Sequence, residues 1–394
     1  MASKAYENQK RVLSYSRKRV DKAGRDIRLG CNDLLRDESI KIIQNFREIH
    51  LYPLMLVKNH LSKAAKKESK KAIIARRLKR LPTIIDKLER PTLDGREENG
   101  IKLTRMQDIG GCRAIVSNLA QLKNLHERLN DSKSVHQIIK TDDYLTPKKS
   151  GYGGIHLVYS CFLGSEEENN WKKTKIEVQL RTELQHAWAT SLEIIDTLEG
   201  VSLKTSLEGH EEWRRFFQVA GRLVAHKEGA CVIERDELSG LTSELVDLEK
   251  GLDVTKKLFQ YQLAINVTTN KSNAPKSIRS HQGLFLVYIT KNNVMNKGEE
   301  VSIDVTLSTF SPKEVAMALD ALAEKEADND VLIAVLVSAS DVRNLEKAYP
   351  NYFGSTRRFV KFLEGFINPK KAKAKAKAKA KAKAKAKKTK GRIM

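Results

Sequence analysis

The sequence predicts an α/β (α+β) protein: a mixed β-sheet surrounded by helices, then a helical extension and a smaller C-terminal α/β domain. Three observations carry that expectation. Short apolar runs, "GCRAIV" and "GGIHLVYSCFL", have the length of buried strands and are separated by helical segments. "KIEVQL" alternates apolar and polar residues with the period of two that a strand requires. Beyond residue 280, "LFLVYIT", a turn at "NKGEE", "VSIDVTLS", a helix after Pro312 and "VLIAVLV" repeat the mixed pattern to about residue 366.

In chain order, residues 1–44 read as a basic helical region, 45–200 as the main α/β domain and 201–268 as the helical extension. Residues 269–366 read as the small α/β domain and 367–394 as a disordered Lys-Ala tail. Residues 1 to 80 read as mostly helical, with strongly basic faces in "SYSRKRVDKAGRDIRL" and "NHLSKAAKKESKKAIIARRLKR". In the extension, Leu241, Leu245, Leu248 and Leu252 recur at helical spacing, so one face should pack on something. "NVTTNKSNAPKSIRSHQG" is polar, carries Pro275 and reads as a linker. Like-charge repulsion should keep the alternating tail unfolded.

A chain of 394 residues has room for two or three domains with cores of their own. Its formal charge is +23, of which +13 falls between Lys370 and Arg392 and +10 on residues 1–369. A basic body of that kind suits a polyanionic partner, either nucleotide phosphates or nucleic acid. Cys31, Cys112, Cys161 and Cys231 form no CxxC pair, which argues against a zinc site or a disulfide framework and fits a reducing cytosol. The opening "MASKAYENQKRVLSYSRKRV" has no apolar core, and no apolar run approaches a membrane-spanning length. A cytoplasmic protein without a signal peptide or membrane contact is therefore expected.

The residues suited to chemistry begin with "KIEVQLRT". Strand alternation puts Ile176, Val178 and Leu180 on one face and Glu177, Gln179 and Arg181 on the other. A solvated outer face is the plain reading of such a strand. Against it, three different hydrogen-bonding types are followed at once by a helix in which His186, Ala189, Thr190 and Glu193 share a face. With Thr182 as the N-cap, strand face and helix start could border one pocket.

Upstream, Asp108 stands before a glycine pair and a short strand, with Arg113 five residues on. Alone it reads as a turn or capping residue. Near a carboxylate from another strand, it suits Mg²⁺ held through phosphates. "RRLKRLPTIIDKL" presents Arg77, Lys79, Arg80 and Lys87 around Pro82 and Thr83, as a solvated basic helix or as a grip for a triphosphate. "YLTPKKSGYGGIHLVY" puts Lys148, Tyr152 and His156 on a Pro- and Gly-rich loop that feeds a strand. Tyr152 there either packs on its own domain or stacks on a base.

The order of these patterns is more telling than any one of them. RxKxxxTIxxK, DxxxxR, PKxxGYxxIH, ExQxRT and HxWAT, in that sequence over roughly residues 45 to 200, resemble the synthetase domain of the RelA/SpoT homologue family, the (p)ppGpp synthetases. The resemblance implies a nucleotidyltransferase-like fold. It also implies Mg²⁺-dependent transfer of the β,γ-pyrophosphate of ATP to the ribose 3′-hydroxyl of GDP or GTP, the alarmone synthesis of the stringent response. By the same resemblance Arg77 and Arg113 would sandwich the adenine, and Lys79 and Lys87 would meet the ATP phosphates. Asp108 and Glu177 would hold Mg²⁺, with Glu177 also placed to take the acceptor's proton. Tyr152 would stack on the guanine, while Lys148, His156, Gln179 and His186 would position the acceptor nucleotide.

Gly154 and Thr190 depart from the GYxSxH and HxxAE of long bifunctional members, and Thr190 agrees better with the small single-domain synthetases. There is no HDxxED-type cluster, so hydrolase activity is not expected. No family is assigned to the region after residue 200. Two other readings compete. The same site could pyrophosphorylate adenosine nucleotides or the tRNA 3′ end, which the basic N-terminal region and tail would suit. A non-catalytic nucleic-acid-binding protein is the third class, and the joint presence of Asp108, Glu177 and Tyr152 speaks against it. The tail itself suits a tether to RNA, DNA or the ribosome, and a homo-oligomer is compatible with the sequence.

Overall fold

The computed structural model describes residues 7–90, 100–163, 169–198, 203, 209–258, 283–292, 302–311, 313–328, 330–339 and 356–368. The linker around Pro275, the turn at 296–300 and the Lys-Ala tail lie outside the described residues.

The longer helices near the start of the described residues are α1 (Arg17–Leu29), α2 (Asp33–Glu48) and α3 (Leu51–Glu68). Ser16 and Asn32 cap the first two through hydrogen bonds from Arg19 N and Leu35 N. α1 buries Val20, Ala23, Gly24 and Ile27, the stripe that helical periodicity prescribes. The sequence suggested a helix running on to residue 80, but α3 stops at Glu68 and β1 (Ile73–Leu78) takes over. Two adjacent β-branched residues, Ile73 and Ile74, favour the strand, and the charged residues behind them alternate in facing direction.

Next come α4 (Leu81–Glu89), β2 (Gly110–Val116), α5 (Leu119–Asn130), β3 (Gln137–Asp143), β4 (Ile155–Ser160) and β5 (Lys175–Thr182). Helices α6 (Glu183–Leu198), α7 (Glu211–Glu228) and α8 (Arg235–Leu252) follow. The C-terminal elements are β6 (Gly283–Asn292), β7 (Ser302–Phe310), α9 (Val315–Ala327), β8 (Val331–Ala339) and α10 (Arg357–Ile367).

The strands form one mixed sheet in the order β3-β4-β5-β2-β1-β8-β6-β7. Among the described strands β2 and β5 are the parallel pair; the others run antiparallel. The C-terminal strands therefore continue the same sheet, joined edge to edge where Arg77 pairs with Val337. One sheet face carries Leu78, Cys112, Ala114, Ile176, Val178, Leu180 and Leu157 into a core shared with α1–α5 and α9. The opposite face is covered at Ala75 by a second core of α6, α7, α8 and α10, centred on Trp188, Phe216, Phe217, Leu245 and Phe359. In α8, Leu241 and Leu245 are buried in that core and Leu248 and Leu252 pack against it. Among the described residues no helix is long and apolar enough to cross a membrane.

Candidate active site

The register of five neighbouring strands assembles the site. Arg77 lies beside Gly111, Gly111 beside Glu177, and Glu177 beside Val158. One step along, Ala75 lies beside Arg113, Arg113 beside Gln179, Gln179 beside His156, and His156 beside Asp142. Because side chains alternate, all of these project from the face opposite the α1–α5 core. Arg77, Lys79, Asp108, Gly111, Arg113, Glu177 and Gln179 line a cavity of about 140 Å³.

Asp108 sits at the mouth of β2 between two ammonium groups. Lys79 Nζ and Lys87 Nζ each donate to one of its oxygens at 3.0 Å. Burial alone would raise the Asp108 carboxyl, but the two lysines outweigh it and hold it below the usual carboxylate range. Burial in turn pushes Lys79 below the ordinary lysine value, against the pull of Asp108. Lys79 leaves the end of β1, pinned by a backbone bond of its N–H to Ile109 O, and Lys87 reaches over from α4.

Glu177 is held differently. Gln179 Nε2 donates to one oxygen at 2.9 Å and His156 Nδ1 lies 3.0 Å from the other. Burial would raise this carboxyl; the hydrogen bond and charge of His156, aided by the Gln179 amide, bring it below its ordinary value. When the imidazole is neutral, the donors around Tyr152 set its tautomer. Arg181 donates to the Tyr152 hydroxyl through Nε at 3.1 Å and Nη2 at 3.0 Å. That oxygen accepts twice, so its single proton goes to His156 Nε2, with which it makes a short contact. Nδ1 then carries the ring proton and donates it to Glu177. A chain of hydrogen bonds thus runs from Arg181 through Tyr152 and His156 to Glu177, and Arg181 also donates to Gln179 Oε1 at 3.0 Å. Arg181 braces the whole row.

The helix start behaves as its composition suggests. Gln185 N donates to Thr182 Oγ1 at 3.1 Å and Thr182 N to Gln185 Oε1 at 3.0 Å, a reciprocal capping box. His186, the next residue, is 5% exposed, and neither ring nitrogen has a hydrogen-bond partner among the described residues. Burial, then the nearby Arg113 and Arg181, keep it neutral. It lies behind the cavity wall rather than on it. Lys148 also stands off the cavity, its Nζ 3.7 Å above the Tyr144 ring.

Tyr144 is a residue the sequence reading passed over. Its ring meets Tyr152 and His156 edge-on at 6.0 and 5.5 Å, extending the aromatic row. An aromatic just before the Pro- and Gly-rich loop was the available signal. That loop closes on itself through Tyr144 N to Gly154 O at 2.9 Å and Lys148 N to Tyr152 O at 3.0 Å. Its turn back into β4 needs Gly154, at φ +139°, where a Cβ would stand 3.0 Å from Leu180 O and 3.3 Å from Arg181 Cγ. The Gly154→Ser change, toward the residue of the long bifunctional members, is expected to cost about 1–3 kcal/mol of stability. It should also shift Arg181. Thermal melts of the variant would show this; an unchanged midpoint would contradict it.

The fold and this row of residues define an α/β protein with paired carboxylates and clustered cations on one sheet face. Residues 76–194 match the family model described as "Region found in RelA / SpoT proteins". Those residues are similar to the RelA/SpoT region and make up less than a third of the chain. It is 29% identical over 121 residues to GTP pyrophosphokinase YwaC of Bacillus subtilis (strain 168), a match that covers 29% of this chain and 52% of that protein. The chain thus spans about half the length of that relative. Among solved structures, small alarmone synthetase 1 from Bacillus subtilis is 22% identical, with 49% of this chain and 93% of that chain covered at a TM-score of 0.36. For small alarmone synthetase 2 from the same organism the figures are 21%, 51%, 97% and 0.37.

Proposed function

We propose that the protein is a (p)ppGpp synthetase of the small alarmone synthetase type, moving the β,γ-pyrophosphate of ATP onto the ribose 3′-hydroxyl of GDP or GTP. The supporting observation is the convergence of a lysine-clamped Asp108 and a histidine-braced Glu177 on one cavity with Arg77 and Arg113. The RelA/SpoT region and a relative named GTP pyrophosphokinase point the same way.

In this reading the acceptor oxygen bonds to the β-phosphorus as the bridge to the α-phosphorus breaks, and AMP leaves. Such a step depends mainly on in-line positioning and on neutralising charge spread over the phosphate oxygens. Lys79 and Lys87 lie where they can supply that neutralisation. Arg77 and Arg113, on adjacent strands, flank the adenine. Tyr152, braced by Arg181, offers a flat face to the guanine, while Gln179 and His156 orient the ribose beside Glu177 and Lys148 and His186 support the acceptor's pocket. Glu177 accepts the hydroxyl's hydrogen bond and, as the P–O bond forms, its proton.

The donor set also fits Mg²⁺. Two hard carboxylates line one cavity, and the charge of Asp108 pulls the Glu177 carboxyl upward. Among the described residues there is no group of three or more ligating side chains, so the remaining ligands would have to come from phosphates and water. Bound to Asp108 and Glu177, Mg²⁺ would supply Lewis-acid neutralisation of the phosphates.

The test is purified protein with γ-labelled ATP and Mg²⁺, offered GDP, GTP, AMP, ATP or deacylated tRNA separately. Label is expected on GDP and GTP. Label on tRNA or adenosine nucleotides alone would transfer the reading to the other acceptor class, and label on no acceptor would overturn synthesis altogether.

A further inference from the structure

α4 carries Lys87 and follows directly on Lys79, yet its own N-terminus has no side-chain cap. An acceptor comes instead from α9, outside the RelA/SpoT region. Glu326 Oε1 accepts from Leu81 N, the first residue of α4, at 3.4 Å. It places a carboxylate at the positive end of that helix. The same oxygen lies 3.5 Å from Arg47 Nη2 on α2, with the two side chains 4% and 1% exposed. Arg47 in turn donates Nε to the backbone oxygen of Lys79 at 2.9 Å and Nη1 to Gln44 Oε1 at 3.0 Å. A buried carboxylate and a buried guanidinium therefore fix, through backbone atoms, both ends of the Lys79–Leu81 corner.

We propose that Glu326, with Arg47, is a positioning residue for the donor-side cations. It sets the corner from which Lys79 and Lys87 grip Asp108 and, in the function proposed above on which this rests, the ATP phosphates. A buried ion pair adds little net stability over an apolar pair of similar volume, so its worth here lies in geometry. The C-terminal α/β segment would then be part of the working site rather than an appended module.

The experiment compares wild type, Glu326→Ala and the double variant R47M/E326M. It reads the thermal midpoint, the KM for ATP and for GDP, and the Kd for α,β-methylene ATP by calorimetry. In Glu326→Ala the ATP KM and the analogue Kd are expected to rise about tenfold, with the GDP KM within about twofold, because a displacement near 1 Å can cost up to about a hundredfold. The double variant should regain the wild-type midpoint while its ATP KM and analogue Kd stay raised. Recovery of binding together with the midpoint would overturn the proposal by reducing the pair to a structural role. So would a wild-type analogue Kd in Glu326→Ala. If wild type binds the analogue but transfers no label, the synthetase reading falls and the Kd comparison still decides the positioning role. Wild type that binds no analogue overturns both. Should Glu326→Ala fail to fold, the double variant alone carries the comparison.

Discussion

On the proposed function, replacing Glu177 with glutamine is expected to lower pyrophosphate transfer by about 10³-fold while the protein stays folded, on the scale measured when a charged or oriented group is removed from a reacting centre. The amide keeps the volume and one acceptor oxygen. It loses the negative charge that the site works to preserve through His156 Nδ1 and Gln179 Nε2. The amide's NH₂ must then face one of those two donors, so either His156, at the end of the row from Arg181 through Tyr152, or Gln179 loses its acceptor. Stability should fall by only about 1 kcal/mol, because the side chain is 20% exposed and water can take the displaced donor. Single-turnover transfer of label, measured beside a thermal melt, reads both quantities. Activity within tenfold of wild type in a folded Glu177→Gln protein would remove Glu177 from the mechanism.

The parts of the site that sequence reveals are those whose spacing is enforced by a strand. Glu177, Gln179 and Arg181 must share a face whatever surrounds them, and the parallel pairing of β5 with β2 sets Arg113 beside Gln179. The capping role of Thr182 is legible for a similar reason, since a Thr three residues before a Gln at a helix start satisfies both backbone donors. Where charge dominates composition, pattern reading fails. β1 carries Arg76 and Arg77 on opposite faces, one buried and donating to Leu51 O, the other on the site cavity, and together they look like a basic helix. β3 passed unnoticed because it is an exposed edge strand with little alternating burial. His186 shows another limit: its position after the cap puts it on the buried side of α6, and helical spacing alone could not tell wall from backing. The contact between Glu326 and Leu81 spans 245 residues, so no local pattern encodes it.

Acid is expected to destabilise the protein well above the range in which carboxylates titrate, and His50 is one of the buried histidines responsible. It sits at the head of α3, fully buried, with Nδ1 2.8 Å from Phe46 O and its ring edge-on to the Phe46 ring at 5.1 Å. Burial lowers its pKa from 6.5 to about 4; the Phe46 carbonyl opposes that shift and the charge of Arg17 adds to it. An unfolded chain therefore takes up this proton before the folded one does, and stability present above pH 6.5 is lost as pH falls toward 4. From the two pKa values, the loss amounts to about 2 kcal/mol by pH 5 and about 3 kcal/mol by pH 4. His136, also pushed down to about 4 by burial, and the buried His186 act in the same direction. Asp108 and Glu177, held below their ordinary values, add their losses only at lower pH. Urea melts of wild type and His50→Gln at pH 8, 6, 5 and 4 separate these contributions. The glutamine amide can still donate to Phe46 O but binds no proton, so the variant's stability should decline less steeply across the window, by about 2 kcal/mol at pH 5. Parallel declines in the two proteins would mean that His50 is not the group whose protonation opens the core.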